Sequence, residues 1–141
     1  MKHPLHPALV HFPVACWSLA TACDLAGLAG VPAWNYARLL LAVGCLAATA
    51  AAITGFVELM KIEEGSVADR DGHRHMLLML ASFGCYAASW FLRLRSGSAV
   101  PPGVPAIASG LAGFALLAVG GWLGGKLVYH HGVGRVRPGD R

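Results

Sequence analysis

Four long apolar stretches, separated by short polar or turn-rich breaks, organise this chain. They run approximately over residues 7–29, 34–60, 75–94 and 105–129. Each reaches or exceeds the roughly 18 to 20 mostly apolar residues that a helix needs to span a bilayer. Their apolar positions are continuous rather than alternating, which selects helices over the strands of a barrel. Gly30-Val31-Pro32-Ala33 reads as a tight turn. Residues 61–74 read as the one long charged loop, and residues 95–103 as a flexible turn broken by Pro and Gly. Residues 132–141 read as a basic, polar and loosely ordered tail. No internal repeat and no low-complexity tract is apparent. The pattern predicts an all-α fold, a single integral membrane domain over residues 1–141, built as an up-down-up-down four-helix bundle.

The polar positions that interrupt this pattern are unevenly placed. His3, His6 and His11 lie at the start of the first stretch, His73 and His75 at the start of the third, and His130 and His131 at the end of the fourth. In an up-down-up-down order these histidines share one membrane face. Lys2, Lys61, Arg70, Arg74, Lys126, Arg135, Arg137 and Arg141 fall on that face, and Arg38, Arg93 and Arg95 on the other. The positive-inside rule then assigns the histidine face and both termini to the cytoplasm. The basic balance is a topology signal, and no nucleic-acid partner is implied. With 56% of residues apolar and 13% charged, a soluble domain is excluded. The start of the chain does not resemble a cleaved signal peptide, so the first span reads as a signal anchor.

Helical periodicity separates the histidines of each cluster. His131 shares a stripe with Gly124, Gly120 and Gly113, which suits a helix pressed against protein or a flat ligand. His130 shares one with Lys126 and Leu123, which looks outward. His75 lines up with Met79, Ser82 and Tyr86, whereas His73 lines up with Leu77 and Leu80. His11 stands over Ala15, Ser18 and Ala22, and Glu58 over Thr54, Ala51 and Ala47. Each span thus offers a small or polar face topped by His11, Glu58, His75 or His131. Pro7 suits the first helical position, leaving His6 just before it. Pro13 removes the backbone bond to Leu9, so a kink near His11 is expected. Gly120-x-x-x-Gly124 and Gly121-x-x-x-Gly125 allow close helix approach, within the chain or in a homodimer.

Cys16, Cys23, Cys45 and Cys85 form no Cys-x-x-Cys pattern, which disfavours covalent c-type haem and zinc knuckles; they read as packing residues. No nucleophile constellation, phosphate loop or zinc-protease helix is present. Asp24 lies near where Arg38 begins the second span, and an interfacial ion pair between them is expected.

Several motifs, taken in order, are distinctive. His6-Pro7-Ala8-Leu9-Val10-His11-Phe12-Pro13, Gly55-Phe56-Val57-Glu58, His75, and Gly124-Gly125-Lys126-Leu127-Val128-Tyr129-His130-His131-Gly132-Val133-Gly134 resemble a family of small bacterial membrane proteins catalogued as domain of unknown function 2231. The resemblance covers essentially the whole chain. It implies importance for His6, His11, His75 and His131 and for an acid at Glu58. It also implies a bacterial cell (inner) membrane and redox company, since similar domains occur joined to Rieske or c-type cytochrome modules.

The chemistry that these residues suggest is a b-type haem near the histidine face, serving electron transfer. Axial imidazoles would come from His11, His75 and His131, with His11 plus His131 or His75 as the first choice. His6 would bind a second iron or a propionate. Gly120 and Gly124 would admit the macrocycle, Arg74 and Lys126 would meet its propionates, and Glu58 would fix an imidazole tautomer. As the second alternative, three or four histidines with a carboxylate also suit zinc, and three histidines suit copper, so His6, His11, His75 and His131 are also candidate metal ligands. A cofactor-free structural or transport protein is the third alternative. Any enzymatic role is at most that of an oxidoreductase subunit, with a quinone, a cytochrome c or a Rieske-type protein as redox partner.

Overall fold

The computed structural model describes residues 5–96 and 101–134. The proposed loose tail lies for the most part outside the described residues, as do His3 and part of the third turn. The described residues form α1 (Leu5–Leu9), α2 (His11–Leu28), α3 (Trp34–Leu59), α4 (Val67–Ser96) and α5 (Val104–Tyr129), with no strand among them. Helices α1 and α2 together make one span, giving four helices long and apolar enough to cross a membrane. Neighbours in the chain pack antiparallel, most extensively α2 on α3 and α4 on α5.

Local chemistry sets the helix limits. Pro13 has no N–H to offer Leu9, and the helix is interrupted at Val10, between α1 and α2. At the far end of α2 the chain turns through Gly30, whose φ of 90° suits glycine. The Val31 and Gly30 amides return to the Ala26 and Gly27 carbonyls at 2.9 and 3.1 Å. Helix α4 begins two turns earlier than the apolar pattern indicated, so most of the expected charged loop is helical. The cause is a reciprocal cap: Ser66 Oγ accepts the Asp69 amide at 3.0 Å, and Asp69 Oδ2 accepts the Gly65 amide at 3.1 Å. This Ser-x-x-Asp signal was present in the sequence, and its consequence is that Asp71 and Arg74 sit on a helix.

Packing is inverted relative to a water-soluble bundle. The inward faces are mostly small: Ala37, Gly44, Ala48 and Ala51 on α3, and Ala106, Gly110, Gly113 and Gly120 on α5. Large apolar side chains such as Leu19, Leu46, Ile53, Leu77, Phe91 and Trp122 point outward. Lipid solvates such a surface, and small residues let the backbones approach, so helix contact rests on packing and interhelical hydrogen bonds. Gly120 lies against Met79 and Gly124 against His75, while Gly121 and Gly125 face open space. The first glycine pair therefore serves α4 within the chain.

The core is anchored by Trp17 and Tyr86, stacked with ring centroids 4.7 Å apart and planes 18° apart. Leu41, Ala48 and Leu117 complete it, and the Tyr86 hydroxyl meets Thr21 Oγ1 at 3.1 Å. Nearer the face away from the histidines, Asp24 pairs with Arg93, both buried. The expected partner, Arg38, sits half-buried on α3 instead; Asp24 points into the bundle, where Arg93 of α4 reaches it.

Candidate histidine site at one face of the bundle

Three hydrogen bonds zip α4 to α5 at heptad spacing. The His75 Nδ1–H donates to the Gly120 carbonyl at 2.8 Å, Ser82 Oγ to Gly113 at 2.8 Å, and Ser89 Oγ to Ala106 at 2.7 Å. Seven residues are close to two helical turns, so the donors form one seam along α4. The carbonyl acceptor fixes the His75 tautomer: Nδ1 carries the proton and Nε2 carries the lone pair. The ring rests on the bare backbone of Gly124, where a Cβ would lie 2.9 Å from its Cε1.

His6 is held in the same way by the other hairpin. Its Nδ1–H donates to the Ala51 carbonyl at 2.9 Å, and its ring rests on Gly55, where a Cβ would lie 2.8 Å from Cε1. Both histidines are half-buried, and neither Nε2 has a hydrogen-bond partner among the described residues. One imidazole from each hairpin is thus fixed in orientation with its metal-binding nitrogen open.

The other expected site residues are placed differently. His11 is exposed, because the inward stripe of α2 runs through Pro13, Trp17, Ala20, Thr21 and Asp24. That stripe continues back to His6, seven residues or about two turns before Pro13, so His6 faces α3 and His11 does not. His131 lies where the last turn of α5 carries on past Tyr129, before Gly132 (φ 70°) reverses the chain. Its Nε2 is 3.0 Å from Asp71 Oδ2, which commits the nitrogen a metal would use. Lys126 Nζ reaches the same oxygen at 2.8 Å, and Arg74 approaches Asp71 Oδ1 at 3.7 Å. Glu58 pairs with Lys61 at 2.8 Å and, among the described residues, holds no imidazole. Asp71, buried at 4% exposure, is the carboxylate that holds His131, and the carboxylate of Asp69 lies 3.0 Å from Nδ1 of the exposed His73. Sequence reasoning missed Asp71 because it had been assigned to a loop; on a helix capped at Ser66 it lies one turn before His75. His73 and His130 are exposed. Among the described residues, no group of three or more His, Cys, Asp or Glu side chains converges as metal ligands. The cysteines are free and half-buried.

These features define a small polytopic helical membrane protein with two oriented imidazoles at one end. The chain belongs to the family described as predicted membrane protein (DUF2231), which it matches over residues 2–137. No curated protein and no solved structure matches it.

Proposed function

We propose that this protein binds a b-type haem at its histidine face through His6 and His75 and serves electron transfer in the membrane. The observation that carries the reading is the matched pair of rings, each with Nδ1–H on a carbonyl and Nε2 open. Haem-binding imidazoles need this arrangement, since the bond at one nitrogen orients the other toward iron. Two axial ligands suffice for haem, whereas structural zinc takes four ligands and catalytic zinc three. The absence of a three-ligand group among the described residues therefore makes bare zinc or copper the weaker alternative. Bound haem would supply a one-electron couple; the chain would supply the ligands, their orientation and an apolar surround. Arg74, 73% exposed and only 3.7 Å from Asp71, is the cation with freedom to meet a propionate. In this reading the site lies on the cytoplasmic side of a bacterial inner membrane, by the bias of Lys and Arg. A quinone, a cytochrome c or a Rieske-type protein would be the redox partner.

The test is the absorption spectrum of detergent-purified protein from cells supplied with a haem precursor. A Soret band with reduced α and β bands is expected. Protein that is folded and monodisperse yet colourless, with iron absent by elemental analysis, overturns the proposal and favours a structural or transport role.

A further inference from the structure

The two hairpins share more than their histidines. Asp24 and Arg93, which pair across the bundle, are 69 residues apart. The same offset relates His6 to His75, and Trp17 to the Tyr86 it stacks on. It relates the buried residues Pro13, Trp17, Ala20 and Asp24 of α2 to the buried Ser82, Tyr86, Ser89 and Arg93 of α4. It relates the buried Ala37, Leu41, Gly44, Ala48 and Ala51 of α3 to the buried Ala106, Gly110, Gly113, Leu117 and Gly120 of α5. The contacts repeat with the residues. His6 rests on Gly55 as His75 rests on Gly124, and Gly44 underlies Trp17 as Gly113 underlies Tyr86. The hydrogen-bond seam repeats in part. Its rungs at His75, Ser82 and Ser89 correspond to His6, Pro13 and Ala20, of which only His6 can donate through its side chain.

We infer that the chain is two copies of one helical hairpin, and that His6 and His75 are the equivalent halves of one two-fold site that takes a single ligand between them. Both hairpins begin at the histidine face, so the axis relating them runs along the membrane normal, as in parallel repeats of transporters. Trp17–Tyr86 and Asp24–Arg93 are pairs of equivalent residues in mutual contact, which places that axis between their members. Ligands astride such an axis come one from each half. The duplication escapes the sequence because few equivalent positions keep the same residue: His6/His75, Cys16/Cys85, Ala37/Ala106, Gly44/Gly113 and Gly55/Gly124 among them. Outward positions need only be apolar.

That the shared ligand is haem rests on the function proposed above; the duplication does not. Two experiments on the full chain in detergent separate them. In haemin titrations, wild type should take up one haemin per chain. His6→Ala and His75→Ala should each weaken uptake about tenfold or more, a loss of at least 1.4 kcal/mol, and to similar extents. Two haemins per chain, or a loss confined to one variant, overturns the shared site. Wild type that takes up no haemin overturns the haem reading alone. The charge exchange then judges the duplication. Asp24→Arg or Arg93→Asp alone should abolish monodisperse protein, and the two combined should recover it, because a two-fold axis maps the pair onto itself. A double variant as impaired as the single ones overturns the duplication.

Discussion

Replacing Gly124 by Ala adds one methyl group where α5 supports His75. That carbon would sit 2.9 Å from Cε1 and 3.2 Å from Nδ1 of the ring. Ordinary carbon contacts lie near 3.5–4.0 Å, so the ring must retreat by about half an ångström or more. The retreat stretches the 2.8 Å bond from Nδ1 to the Gly120 carbonyl toward the limit of a hydrogen bond. Overpacking costs about 1–3 kcal/mol, and the weakened hydrogen bond up to about 1 kcal/mol. Against this, Ala in place of a helical Gly contributes about 1 kcal/mol. The net expectation is destabilisation by up to about 3 kcal/mol, with a displaced Nε2. Gly125, one residue further, has nothing within 4 Å of its absent Cβ. Gly125→Ala should therefore stabilise by up to about 1 kcal/mol. Equilibrium unfolding of both variants in the same detergent, followed by circular dichroism, reads the difference. Two neighbouring substitutions with opposite signs are the expected result. Equal effects, or a stabilising Gly124→Ala, would refute the assignment of Gly124 as the seat of the His75 ring.

Other outcomes follow from the same geometry. Ser82→Ala removes one rung of the α4–α5 seam and should cost about 1 kcal/mol in the same unfolding assay. Asp24→Ala or Arg93→Ala alone leaves a buried charge unpaired and should cost about 3–5 kcal/mol, seen as loss of monodisperse protein. Asp24 Oδ1 and Arg93 Nη1 lack hydrogen-bond partners among the described residues. Joint replacement by Leu and Met should therefore be neutral or stabilising in a thermal melt. Asp71→Asn removes the charge that gathers Lys126 and His131, so hydrogen exchange should quicken in residues 126–134 and stay unchanged in the α2–α3 hairpin. His73→Ala and His130→Ala, at exposed positions, should stay within about 0.5 kcal/mol of wild type.

The spans were legible because lipid imposes a length and an unbroken apolar run on each helix. The glycine stripe under His131 and the polar stripe under His75 also pointed inward correctly: Gly113, Gly120, Ser82 and Tyr86 are buried. His11 was misplaced because the small stripe through Ala15 and Ala22 was taken as the inward one; both are exposed, and the buried stripe through Trp17 and Pro13 leads back to His6. The start of α4 was hidden by its charged residues, which mimic a loop until the Ser66–Asp69 cap is weighed. Arg93 was placed toward the face away from the histidines by the up-down order of the spans, with no partner named. Its pairing with Asp24 depends on how two hairpins associate, which no local pattern encodes. The repeat was hidden for a related reason. What the two halves share at these positions is their spacing and burial rather than the residue, so Ala48 answers to Leu117 and Leu41 to Gly110.

The most direct measurement is the low-temperature electron paramagnetic resonance spectrum of the oxidised, haem-reconstituted protein, before and after His6→Ala. Axial imidazoles from His6 and His75 require a low-spin ferric signal that converts to high spin when His6 is lost. A high-spin spectrum in wild type, or a low-spin one indifferent to His6, would contradict ligation by the paired rings.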